Sequence, residues 1–93
     1  MGQYNSKHDQ EYNNLVDILD ELSFGWKSHN ECQLFLTKNS SLINLKAYKL
    51  VKEYPDVIIK LIKVHPETKL YLLDILGKEN IYNISLQLDE YNL

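Results

Sequence analysis

Arginine is absent from this chain of 93 residues, and all ten of its basic residues are lysines. Lysine lacks the planar fork that grips a carboxylate or phosphate through two parallel bonds, so recognition built on bidentate arginine is excluded. Cysteine occurs once, at Cys32, which rules out an internal disulfide and leaves stability to burial alone. Three glycines are too few for a glycine-rich phosphate loop. No apolar run approaches the roughly 18 residues that span a bilayer, and the first twelve residues hold no secretory h-region. An intracellular, cytoplasmic protein is therefore expected, and the glycosylation sequons at Asn39 and Asn83 are then coincidental.

What is present is ordinary for a globular protein: 44% hydrophobic and 25% charged residues, with length for one core and no second one. Abundant Asn, Ile, Lys and Tyr, without arginine, is the composition of an AT-rich genome. Residues 1–8 have no periodic apolar positions and read as a mobile arm; residues 9–93 read as a single helical domain.

Within that domain, Tyr12, Leu15, Val16, Ile18, Leu19 and Leu22 form an i, i+3, i+4, i+7 stripe that predicts a helix from Asp9 to Ser23, stopped by Ser23 and Gly25. Trp26 is expected to anchor the core, and Cys32 to be a small core residue. Asn30, with Gln33 three residues on, is expected to cap a second helix that buries Leu34, Phe35 and Leu36. Asn39-Ser40-Ser41 should break the chain before a helix over 42–53 that buries Leu42, Leu45, Tyr48 and some of Ile43, Leu50 and Val51. Pro55, Pro66 and Gly77 then punctuate the sequence every eleven residues. Proline suits a first helical turn and pushes the preceding residue out of helical geometry, so helices are predicted over 56–64 and 67–76, with Gly77 closing the latter in a left-handed conformation. A last helix is predicted over 81–91. The alternation of Ile84, Leu86 and Leu88 leaves a strand open as the rival for this segment. The predicted fold is all-α: a compact single-domain bundle of five to six short helices.

Charge is uneven. Residues 1–36 hold two lysines against six acidic groups, residues 37–63 six against two, and residues 64–93 two against five. Lys46, Lys49, Lys52, Lys60 and Lys63 are the candidate basic interaction patch; Asp17, Asp20 and Glu21, at i, i+3 and i+4, are the candidate acidic face. Metal binding fails on count, because His29-x-x-Cys32 has no second pair to complete four ligands. Acidic side chains on the polar face of an amphipathic helix are solvated in most proteins, and no nucleophile carries a recognisable signature, so no catalytic residue and no cofactor is expected. Among seven tyrosines, Tyr12 and Tyr48 are expected in the core, and Tyr54, Tyr71 and Tyr82 are the candidate contact residues.

The opening Met1-Gly2-Gln3-Tyr4-Asn5-Ser6 matches the N-myristoylation acceptor pattern, making Gly2 the lipidation candidate. One acyl chain binds membranes only marginally, so a second signal such as the lysine patch would be needed to hold the protein at the inner face of a membrane. The start MGQYNSKHDQEY ahead of a helical domain resembles the matrix region of some retroviral Gag proteins, which implies attachment of this kind. The whole-chain pattern, about ninety residues in short helices ending LYLLDILGKENIYNISLQLDEY, is similar to death-fold domains such as pyrin and death-effector modules, which implies assembly through complementary charged faces. In length and charge the chain is also similar to small helical immunity proteins of low-GC bacteria. The resulting expectation is a non-catalytic protein–protein interaction or adaptor module, self-associating or binding a heterologous protein. The alternatives are a soluble inhibitor of a protein partner, of the immunity, antitoxin or phage-encoded kind, and a weak nucleic-acid-binding regulator.

Overall fold

The computed structural model describes the backbone of residues 6–90 and the side chains of residues 10–90. Gly2 and the C-terminal tripeptide lie outside the described residues. Eight α-helices follow one another: α1 Ser6–Ser23, α2 His29–Lys38, α3 Ser40–Leu45, α4 Ala47–Glu53, α5 Pro55–Val64, α6 Lys69–Leu76, α7 Lys78–Tyr82 and α8 Ser85–Glu90, with a 3₁₀ turn at Pro66–Thr68 between α5 and α6. No strand occurs among the described residues, so the alternation at Ile84, Leu86 and Leu88 is not used as one. Ile84 and Leu88, four apart, turn inward and Leu86 outward, as on a helix.

The all-α single-domain architecture is as expected, while the segmentation is finer. Helix α1 starts at Ser6 rather than Asp9, which takes three residues from the expected arm. Ser28, not Asn30, caps α2: its Oγ accepts the Glu31 N–H at 3.2 Å, in the spacing Ser28-His29-Asn30-Glu31. The expected helix over 42–53 is interrupted at Lys46, and the one over 81–91 is preceded by α7 and broken at Asn83-Ile84. Gly77 does end α6, at φ 89° and ψ 150°, extended rather than left-handed helical but still a glycine's conformation.

The core is one cluster, with Leu19, Leu36, Ile43, Leu50, Ile58, Leu61, Ile62, Leu72, Leu76 and Ile84 as its most enclosed large side chains. Around α3 and α4 the buried stripe is Ile43, Ala47, Leu50 and Val51, spaced i, i+4, i+7, i+8. Leu45 and Tyr48, expected inside, project from the opposite side and are exposed. Both sides of this segment carry large apolar residues, so hydrophobicity alone does not choose between them.

Helix α1 packs chiefly on α5, and the two run parallel. Tyr12 near the start of α1 faces Tyr54 just before α5, with ring centroids 6.2 Å apart. Beyond the other end, Gly25 lies against Val64, the last residue of α5. Gly25 has φ 78°, and a Cβ there would come within 3.2 Å of Val64 Cγ1, so this turn needs glycine for its dihedral and for space.

Candidate functional site

The loop from α1 to α2 carries the most conspicuous exposed apolar group. Phe24 and Trp26 stack on each other, centroids 5.6 Å apart and planes at 28°, while 53% and 75% exposed. The expectation that Trp26 anchors the core is therefore wrong. The ground beneath the loop is already taken by Val64 under Gly25 and by the buried His65, which leaves the indole no room inward. Lys60 Nζ stands 5.5 Å from the Phe24 ring centroid, a cation–π contact that props the pair from the α5 side.

Beside this loop, α1 and α2 form the walls of an apolar trough. One part, 280 Å³, is lined by Ile18, Leu22, Leu34 and Phe35 under a rim of Lys27, Glu31 and Lys38. Ile18 and Phe35 also line its continuation, 170 Å³, which runs toward Glu11, Asn14 and Leu42. From Glu11 to Leu22 the trough follows about 16 Å of helix axis. Leu34, expected to be buried, is 58% exposed on its wall. Lys27 reaches Glu31 at 3.9 Å, a long and solvated pair worth little.

Under the loop lies a pair of imidazoles that the sequence places 36 residues apart. His65 is 1% exposed. Its Nε2 is 3.1 Å from the Leu22 carbonyl and its Nδ1 is 2.6 Å from His29 Nδ1, with the rings edge to face. A carbonyl only accepts, so His65 Nε2 carries the proton that it donates to Leu22. In the neutral ring His65 Nδ1 is then an acceptor, and His29 Nδ1–H donates to it. The outer nitrogen of His29 is 3.5 Å from Glu67 Oε2, with both side chains more than half exposed. Thr68, also buried, donates its hydroxyl to the His65 carbonyl at 2.8 Å. Burial raises the pKa of the Cys32 thiol, with a Thr68 hydrogen bond opposing, so Cys32 is an uncharged core residue as expected.

The candidate charged residues do not all come together. Lys49 Nζ lies 4.3 Å from the Tyr12 ring centroid, whereas Lys60 lies over Phe24; about 17 Å of α1 separates the two. Lys46 and Lys49 are half-buried, and Lys52 turns out toward the Tyr48 ring at 5.6 Å. Lys60 and Lys63 share one depression with Asp56 and Ile59. The candidate lysines thus fall in two groups, Lys49 beside Tyr12 and Lys60 beside Phe24, because α4 and α5 present them to opposite ends of α1. Asp17 and Glu21 are exposed on α1 and Asp20 is half-exposed. Of the candidate contact tyrosines, Tyr82 is exposed, while Tyr54 and Tyr71 are half-buried against the core.

The remaining polar cluster is at the start of α1. The buried Tyr12 donates its hydroxyl to Glu53 Oε1 at 3.0 Å, with Lys49 over its ring. Burial, then Glu53, pushes the phenol well above its usual range, so it stays a donor. No group of three or more His, Cys, Asp or Glu side chains suited to a metal ion occurs among the described residues, and none of their helices is long and apolar enough to cross a membrane. No protein-family model, curated protein or solved structure matches the chain. The likenesses to matrix, death-fold and immunity proteins accordingly rest on sequence pattern alone.

Proposed function

We propose that this protein is a non-catalytic protein-binding module whose docking face is the α1–α2 trough with the Phe24–Trp26 loop at its mouth, and that the occupant is an amphipathic helix of a heterologous partner. The observation that carries this reading is the exposed, stacked Phe24–Trp26 pair on a loop set by Gly25 and Ser28. Rigid aromatic anchors beside an apolar groove give contact area at small entropic cost. A trough between two antiparallel helices, about 16 Å long, accepts a third helix of about three turns presenting i, i+3/i+4 and i+7 anchors. Lys38 on the rim has no carboxylate within ion-pair distance among the described residues, which favours an acidic residue on the partner. The dispersal of the lysines favours this face over charge-driven self-association, and over nucleic acid, which asks for one continuous basic track. An inhibitor would use the same face and differ only in the partner's identity. Acylation of Gly2 would add a membrane tether without changing the face.

A photo-crosslinker at position 34 in the native host tests the proposal, with position 86 as the control. The expectation is one discrete heterologous adduct from 34 and none from 86, lost in Trp26→Ala plus Ile18→Glu and retained in Tyr82→Ala. Survival of the adduct in the first variant overturns the face. An adduct made only of this chain overturns the heterologous partner and assigns the trough to self-association.

A further inference from the structure

We propose that His65 is a proton-sensitive latch that holds both ends of the Phe24–Trp26 loop and lets go of one end in acid. The segment between Leu22 and His29 is fastened at each end to the same buried ring: its Nε2 holds the Leu22 carbonyl and its Nδ1 holds His29. The latch stands on this geometry; only its consequence, loss of docking in acid, rests on the reading above.

Counting protons shows why the arrangement is sensitive. In the neutral pair one hydrogen lies between the two Nδ1 atoms. A first added proton goes to the outer nitrogen of His29, facing Glu67, and every existing contact survives. A second has only the Nδ1–Nδ1 axis left, and 2.6 Å accommodates one hydrogen. The doubly charged pair would set two N–H groups head to head and two positive charges in contact, one of them out of water.

Among the described residues, nothing on the surrounding elements offsets this. From α2 come the uncharged Cys32 thiol, the positive end of the helix at His29 itself, and the solvated Glu31, whose contacts are with Lys27 and Ser28 rather than with either imidazole. From α1 comes the Leu22 carbonyl, which already accepts from Gly25 N–H as well as from His65. The 3₁₀ turn supplies Glu67, which reaches only His29, and Thr68, whose hydroxyl is spent on the His65 carbonyl. Lys63 at the end of α5 and Lys69 at the start of α6 add positive charge close in sequence. The second proton therefore parts the rings, and His29, the more exposed one, swings out with the first turn of α2. The released state binds more protons than the latched one, so the latched state gains stability as pH rises and loses it as pH falls.

Trp26 is the single tryptophan of the chain, so its emission reports this loop alone. The experiment follows Trp26 fluorescence and helical circular dichroism of the full chain from pH 8 to 5. A reversible change in emission is expected while the helical signal holds. His29→Gln should abolish the change, because an amide can turn either its oxygen or its nitrogen toward His65. Glu67→Gln should make release easier and move the transition to higher pH, since the carboxylate that stabilises the singly protonated, still latched pair is gone. Flat emission in the wild type, an undiminished transition in His29→Gln, or loss of helix in the same step each overturns the latch. A titrating Trp26 together with a crosslinked adduct indifferent to Trp26→Ala would leave the latch standing and remove the docking face.

Discussion

At the start of α1 the aromatic ring is inside and its polar atom is held by one exposed carboxylate; at the end of α1 the aromatic rings are outside and the polar ring is inside. Tyr12 lies buried with its hydroxyl on Glu53, whereas Phe24 and Trp26 stack in the open above buried His65. Both ends belong to the same parallel α1–α5 pair, so the difference is one of chemistry rather than of scaffold. A phenol keeps its proton at any pH a cell reaches, and its contact is permanent. The imidazole pair shares one hydrogen and sits under the exposed Phe24–Trp26 loop, which is why the latch is proposed at this end.

The comparison is sharpened most strongly by His65→Ala. That variant removes a fully buried ring, opens a cavity, and takes away one of the Leu22 carbonyl's two donors and the acceptor of His29. Destabilisation of about 2–4 kcal/mol is expected in urea unfolding. Every buried side-chain nitrogen and oxygen among the described residues has a hydrogen-bond partner, so the loss is not absorbed by an already loose network. A cost under about 1 kcal/mol would mean that the two ends are equally tolerant and that His65 holds nothing.

A smaller effect is expected from Gly25→Ala at the same end. The positive φ and the 3.2 Å approach to Val64 act together, for about 1–2 kcal/mol. The readout that matters is Trp26. If the turn sets the aromatic pair, its emission should change in folded protein at neutral pH; an unchanged spectrum would show that the loop takes its form from Ser28 and His65 instead.

The sequence displayed the α1 stripe, the proline-led start of α5 and the buried Cys32, because each follows from local chemistry; the helix expected over 67–76 instead opens as a 3₁₀ turn at Pro66–Thr68 before α6 begins at Lys69. The Ser28 cap was also visible, as Ser28-His29-Asn30-Glu31, but Asn30 three residues before Gln33 offered a competing match of the same kind. The faces of α3 and α4 were not legible: Leu42, Leu45 and Tyr48 make as good a stripe as Ile43, Leu50 and Val51, and only packing against α6 and α7 decides. Trp26 was misread because large apolar residues are assumed to be inside, and no local signal reveals that Val64 and His65 have filled the space. The imidazole pair joins residues 36 apart in sequence, and nothing short-range marks such a contact.

The smallest expected effect concerns the fixed end. Tyr12→Phe keeps the buried ring and removes one hydrogen bond to a carboxylate that water can re-solvate, so about 0.5–1 kcal/mol is lost at pH 7. The sign then changes course in alkali. An unfolded tyrosine releases its proton near pH 10, about its ordinary value, while burial and Glu53 keep the folded Tyr12 protonated to higher pH. Above pH 10 the folded state therefore binds more protons than the unfolded one, and the wild type's stability falls as pH rises. Phenylalanine has no such proton. The wild type's advantage over Tyr12→Phe should stay level from about pH 6 to 9 and shrink above about 10. Urea unfolding of both proteins at pH 7, 9 and 10.5 reads the difference, and a constant gap across that range would show that the Tyr12 hydroxyl titrates as freely in the fold as in water.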